Sequence, residues 1–310
     1  MEDFQDIFNL NNDDFIEKKE SRETEFYKPN AKDGKDNVYK ALVRFIPFWK
    51  NPKNSKIKKF SYWLTDPLTG EGFSVDCPST VGQKSSLQDI FWKLKKSESV
   101  SEQKLSDDFK RKENYYSLVQ IIDDRQRPEL KGRIMVLKFG MKLNNIIQGE
   151  INPEYGTPNN PWDPIKGRPM LLHVTLQSGF NNFDSSKFVD IPNGECLMDG
   201  KPLKAQPSKE EMTEFFEYLK KTSPDLSKYG YKEWDDDMRS KVNSVISNKV
   251  PRLRTSDAVM NSTASENISV ERNSSAKSSP LNETPEENID LDSLDLGTSE
   301  NFDDDLYAGL

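Results

Sequence analysis

The chain has 310 residues, a formal net charge of −8, a hydrophobic fraction of 34% and a charged fraction of 31%. That balance is too polar for a chain packed throughout, and it predicts a folded core flanked by segments that stay unfolded. No run of eighteen apolar residues is present, acids stand at the N-terminus where a signal peptide needs cations, and Cys77 and Cys196 are too few for a disulfide framework, so the expectation is an intracellular protein without a membrane span.

In chain order, residues 1–37 hold 6 basic and 11 acidic residues with no sustained periodicity, and read as a flexible acidic arm. At Val38 the pattern changes: VYKALVRFI alternates up to Pro47 and predicts a first strand. FSYWL (60–64) and GFSVDCP (72–78), separated by TDPLTGEG, predict a hairpin. In SLQDIFWKLKK (86–96), Leu87, Ile90, Phe91 and Leu94 share one helical face, with Ser86 as the expected cap and lysines in the last turn. Residues 97–108 are polar and read as a loop. YYSLVQIID (115–123) and RIMVLKFG (133–140) predict two more strands, MKLNNIIQGEI a short helix, and the Pro/Gly-rich stretch 152–169 a long loop. MLLHVTLQSGF (170–180) predicts the last strong strand.

Ser208 and Glu211 have the spacing of a capping box, ahead of an apolar stripe of Met212, Phe215, Phe216 and Leu219. A second helix over 235–248 has Asp235 as its expected cap. Together they make a helical extension, 209–250, on a core of 38–208. Residues 251–288 are rich in Ser, Asn, Thr and Glu and cannot bury enough surface to offset their ordering entropy. In 289–310, Phe302, Asp303, Asp304, Asp305 and Leu306 belong to a run that mixes acids with large apolar residues, as a docking peptide does. Short strands with an embedded helix and long loops predict an α+β chain of mainly β character, built on a small Greek-key barrel.

Charge is unevenly laid out. Residues 38–208 hold 26 basic against 19 acidic residues, whereas 281–310 hold 10 acidic and no basic ones. A positive middle between negative ends suits a polyanion-binding core. Within it, Lys110, Arg111 and Lys112 stand next to Tyr115 and Tyr116, and Lys56, Lys58 and Lys59 precede Phe60, Tyr62 and Trp63. Single-stranded nucleic acid offers two handles, a charged backbone and exposed base faces, and cations beside rings grip both. Adjacent strand residues point to opposite faces, so one of Tyr115 and Tyr116 is expected to stack.

KRK followed by an aromatic pair, a strand ending in KFG, NPWDP, and VTLQSGFNNFDSSKF appear in order. On these motifs the chain resembles the T-even-type bacteriophage single-stranded DNA-binding (helix-destabilising) proteins over roughly residues 38–190, with an acidic C-terminus of similar character. The resemblance implies an OB-fold core with a basic, aromatic-lined cleft, and a tail that recruits replication and recombination proteins. It carries Lys110, Arg111, Lys112, Tyr115, Phe180 and Phe183 over as DNA contacts; Tyr116, Lys58, Lys59 and Lys138 complete the candidate set. The family's zinc ligand spacing falls here on Leu64, Cys77, Leu87 and Ile90, so no cofactor is expected and an apolar cluster is expected in the metal's place. The family's basic N-terminal motif has only a faint echo in EKKESRET (17–24), and Leu137 replaces a stacking tyrosine.

These readings imply a protein that is a monomer in solution, coats single-stranded DNA during phage replication, recombination and repair in the infected cell's cytoplasm, and is not an enzyme. His173 is the one histidine, and it sits in an apolar strand; neither a G-x-S-x-G nor a P-loop occurs. Two alternatives stay open: a single-stranded RNA-binding protein, and an acidic protein-interaction hub that touches no nucleic acid.

Overall fold

A computed structural model describes residues 25–192 and 194–250. The arm before Glu25, Asn193, and the linker and tail beyond Val250, including Phe302, Asp303, Asp304, Asp305 and Leu306, lie outside the described residues.

The described chain is α+β, as expected. Its organising element is β5 (Lys112–Asp124), a 13-residue strand. On one edge, β6 (Ile134–Phe139) pairs antiparallel with Tyr115–Gln120. On the other edge, two strands lie end to end. β2 (Val38–Ile46) pairs with Leu118–Asp124, and β3 (Lys56–Thr65) takes over at Lys56↔Ser117 and runs to Ser61↔Lys112. β4 (Gly72–Asp76) closes the expected hairpin with β3. Beyond β2 comes β7 (Met170–Gln177), which pairs with β8 (Phe180–Asn182) and β9 (Lys187–Phe188).

The main path, β1-β6-β5-β2-β7-β8, starts at β1 (Phe26–Tyr27) and does not return on itself. The closed barrel expected from the strand count is therefore not formed by the described strands: β5 spends one edge on two successive partners, and the sheet stays open.

Consecutive residues of β5 enter two cores. Tyr115, Val119 and Ile121 join Phe45, Leu137, Phe139 and Val174 on one face, covered by Leu143 and Ile147 of α3 (Met141–Ile151). Tyr116 and Leu118 join Ile46, Phe48 and Val136 on the other, covered by Phe215 and Leu219 of α4 (Lys209–Thr222). The capping box of Ser208 and Glu211 forms as expected, and Met212, Phe215 and Leu219 of the apolar stripe pack on this face, whereas Phe216 stays exposed. This helix belongs to the core rather than to an extension of it. α5 (Asp236–Lys249) starts at the expected cap, Asp235, and buries Val242 and Val245.

Several boundaries shift. Residues 25–37, read as arm, are part of the fold. Tyr27 is buried, and its hydroxyl donates to Asp124 Oδ2 at 2.8 Å, while Tyr39 donates to the same oxygen. Arg127 lies against both rings, so an anionic group with neither partner nor solvent is avoided. Helix α1 (Ser86–Lys95) is capped by Ser85, whose Oγ accepts from Gln88, and not by Ser86. The loop expected over 97–108 contains α2 (Val100–Leu105) and a 3-10 turn, Ser106–Phe109, that buries Phe109. The strand expected over 170–180 breaks into β7 and β8 at Ser178 and Gly179, both at positive φ, which make the tight turn. Two-residue strands β10 (Leu197–Met198) and β11 (Lys201–Pro202) are too short for any periodicity to announce.

Candidate nucleic-acid interface

Cross-strand pairing decides which cations meet which rings. Lys56, Lys58 and Phe60 lie directly opposite Ser117, Tyr115 and Glu113, so all six point to one face of the sheet. The three lysines do not precede the strand, as their sequence position suggested; β3 begins at Lys56 because Ser117 is there to pair with it. On this face Lys58 Nζ lies 4.8 Å from the Phe60 ring centre and 5.8 Å from that of Tyr115. Lys56 Nζ lies 5.4 Å from the Tyr115 centre and donates to Asn144 Oδ1 of α3 at 2.9 Å. The Arg111 guanidinium is 3.8 Å from the Phe60 centre, and its Nη1 donates to Ser79 Oγ at 2.8 Å. Burial, and then the like charge of Lys58, hold the Lys56 ammonium below its ordinary pKa.

One anion sits among these cations. Glu113 Oε1 is 2.6 Å from Lys58 Nζ and accepts the Tyr115 hydroxyl. Burial pushes its carboxyl up, but the hydrogen bonds from Lys58 and Tyr115 and the charges of Lys58 and Arg111 outweigh burial and hold it below the usual range.

The rings nominated from the sequence are placed differently from one another. Tyr115 is buried, and its ring stacks on Phe139 with centroids 5.6 Å apart. Tyr116 is buried on the opposite face, as strand alternation requires, and stacks on Tyr229 at 5.4 Å. Phe60 is the half-buried ring at the cationic face. Lys59 and Lys138 share Tyr116's face, 5.5 and 5.9 Å from its ring centre, and Lys59 is paired to Asp76 at 3.1 Å. Lys112 also points to that side, whereas Lys110 is exposed at the end of the 3-10 turn. Phe183 packs against the same core as Tyr115. Phe180 pairs with Gln177, one position out of phase with the core-packed Leu176, and therefore lies on the other side of its hairpin. The geometry thus brings together Lys58, Arg111 and Tyr115, adds Lys56 and Phe60, and separates Lys59, Lys112, Lys138, Tyr116 and Phe180 from them.

Two residues that tie the neighbouring long loop to the sheet escaped sequence reasoning. Trp162, in the Pro/Gly-rich loop, donates from Nε1 to Ser117 Oγ at 2.8 Å and stands 5.7 Å from the Phe45 ring. Arg44 holds the loop by donating to the carbonyls of Asp163 and Pro164. A tryptophan among prolines was the available signal. Glu113 stood in plain sight beside the basic triplet, but charge counts hid its position.

The implied zinc site does not fit the metal. Leu64, Cys77, Leu87 and Ile90 are all buried, and only Cys77 offers a donor atom, its thiol bonded to Tyr62 Oη and Ser79 Oγ at 3.3 and 3.0 Å. Among the described residues no group of three His, Cys, Asp or Glu could hold a metal ion. Leu64 lies on β3, and Leu87 and Ile90 are on the buried face of α1. The same region supplies Ser79, which holds Arg111.

A sheet face on which cations converge beside rings is the arrangement expected of a single-strand-binding surface. Residues 38–244 match the family model described as gp32 DNA binding protein like, and the chain belongs to that family. It is also 28% identical over 161 residues to the single-stranded DNA-binding proteins of Enterobacteria phages T2 and T4. Each match covers 49% of this chain and 52% of the relative, so the chain spans about half the length of the curated relatives it matches.

Proposed function

We propose that this protein binds single-stranded DNA stoichiometrically, through the β3–β5 face, and performs no catalysis. The observation that carries the reading is the convergence of Lys56, Lys58 and Arg111 on Phe60 and Tyr115 from two paired strands. Phosphates would meet the cations, and a base would lie on Phe60 where Arg111 now covers it. Tyr115, buried against Phe139, supports the lysines from beneath. The family membership and the phage relatives support the same reading. Among the described residues no helix is long and apolar enough to cross a membrane.

The finer reading follows the resemblance. The core is an opened OB-fold-like sheet that works without zinc. The protein coats exposed strands during phage replication, recombination and repair in the infected cell, and residues 302–306 recruit partner enzymes. Deleting residues 281–310 removes ten acidic residues. It should leave DNA binding intact or stronger and abolish recruitment.

The test is intrinsic-fluorescence titration with oligo-dT, oligo-U and duplex DNA. Saturable binding with a preference for oligo-dT is expected. Preference for oligo-U would make the ligand RNA, and no binding to any of the three would refute the proposal.

A further inference from the structure

The cationic face carries its own anion. Glu113 is engaged twice, by Lys58 at 2.6 Å and by the Tyr115 hydroxyl, and its side chain is 18% exposed against 49% for Lys58. Lys58 is the most forward cation of the cluster, the one a phosphate would reach first. Lys56 is committed to Asn144, and Arg111 to Ser79 and Phe60. Three like charges on one strand pair repel one another, and Glu113 relieves that repulsion from the position a phosphate oxygen would take.

We infer that Glu113 is an internal stand-in for phosphate, an affinity-setting residue that occupies Lys58 in the free protein and must yield it when a strand binds. The inference rests on the proposed function. Binding is then an exchange: the Lys58–Glu113 pair opens, a Lys58–phosphate pair forms, and the displaced carboxylate stays nearby as a repulsive charge. The face holds single strands less tightly than its cations alone would. Lys58 contributes less than a full phosphate contact to the salt dependence.

The experiment is oligo-dT titration of the full-length protein over a range of salt, for wild type, Glu113→Gln, Lys58→Gln and the double variant. Glu71→Gln, on the exposed β3–β4 turn, controls for net charge. Expected is a gain in affinity of about two- to fivefold for Glu113→Gln, the scale of a partly exposed ion pair. Its salt slope should steepen by up to about 0.7, one further phosphate on a single strand. Lys58→Gln should cost more in the Glu113→Gln background than in wild type. Unchanged or weaker binding by Glu113→Gln, with its thermal transition intact, or additive effects in the cycle, overturns the inference. If Glu113→Gln does not fold, the carboxyl ¹³C shift of Glu113 in the unaltered chain decides: it must move as oligo-dT saturates, and a static shift overturns the inference. Failure of every variant and of wild type to bind oligo-dT instead refutes the proposed function.

Discussion

Arg111 lies over Phe60, its guanidinium carbon 3.8 Å from the ring centre, although the two residues are 51 positions apart in the chain. Pairing of Phe60 with Glu113 brings them together, and a hydrogen bond to Ser79 Oγ holds the guanidinium. Arg111→Ala should remove one cation, flattening the salt slope for oligo-dT by about 0.7. Phe60→Ala should leave that slope unchanged and weaken binding at every salt concentration by about 1–3 kcal/mol, the value of one stacked base. Parallel titrations of the two variants check the division of labour.

The apolar residues that stand at the zinc spacing implied by the resemblance also make a prediction. Leu87 is fully buried on α1. Leu87→Ala should destabilise the fold by about 2–5 kcal/mol, as loss of buried methyl groups does. Zinc chelators should leave the melting temperature of the wild type unchanged. Because this region positions Ser79 and through it Arg111, the variant should also bind oligo-dT more weakly. Thermal melts with and without chelator, and one equivalent of tightly bound zinc as the adverse result, decide the matter.

Trp162 ties the long loop to the sheet through Ser117. Trp162→Phe keeps most of the apolar contact and loses the hydrogen bond, so a stability loss of about 1 kcal/mol is expected in urea unfolding. Since Ser117 lies opposite Lys56, quenching of Trp162 fluorescence by oligo-dT should disappear in this variant.

The Tyr39 phenol predicts a response to alkali. Burial, then its bond to Asp124, pushes its pKa from 10.0 up to about 12. The folded state therefore holds this proton more tightly than the unfolded chain does. That stabilisation is complete below about pH 10 and is lost as pH rises towards 12. Tyr27, raised chiefly by burial, adds in the same direction. Tyr39→Phe should flatten the fall of melting temperature with pH in this window, while lowering stability at neutral pH, because Asp124 loses a donor.

The elements with sustained periodicity were legible in the sequence. β2 alternates over its first six residues, α4 carries both its cap and most of its stripe, and α3 was bounded to the residue. What sequence could not supply was partnership. Nothing in KIKKF says that the lysines are themselves strand, because that depends on Ser117 and Tyr115 standing opposite. Tyr27 lay inside an acidic stretch, and its place in the sheet follows from Asp124, 97 positions away. The basic triplet was visible as charge, but alternation splits it: Arg111 turns to Phe60, and Lys112 faces the other side with Tyr116. The adjacent tyrosines were correctly divided between faces. That both rings would be buried depends on Phe139 and Tyr229, which no local pattern reveals.

The central claim is that a single strand lies along the β3–β5 face. Photo-crosslinking of oligo-dT carrying 5-iodouracil, followed by peptide mapping, tests it most directly. The account predicts crosslinks in the peptides that contain Phe60 and Trp162, lost at high salt. Crosslinks confined to the peptides that contain Tyr229 or Phe180 would contradict it.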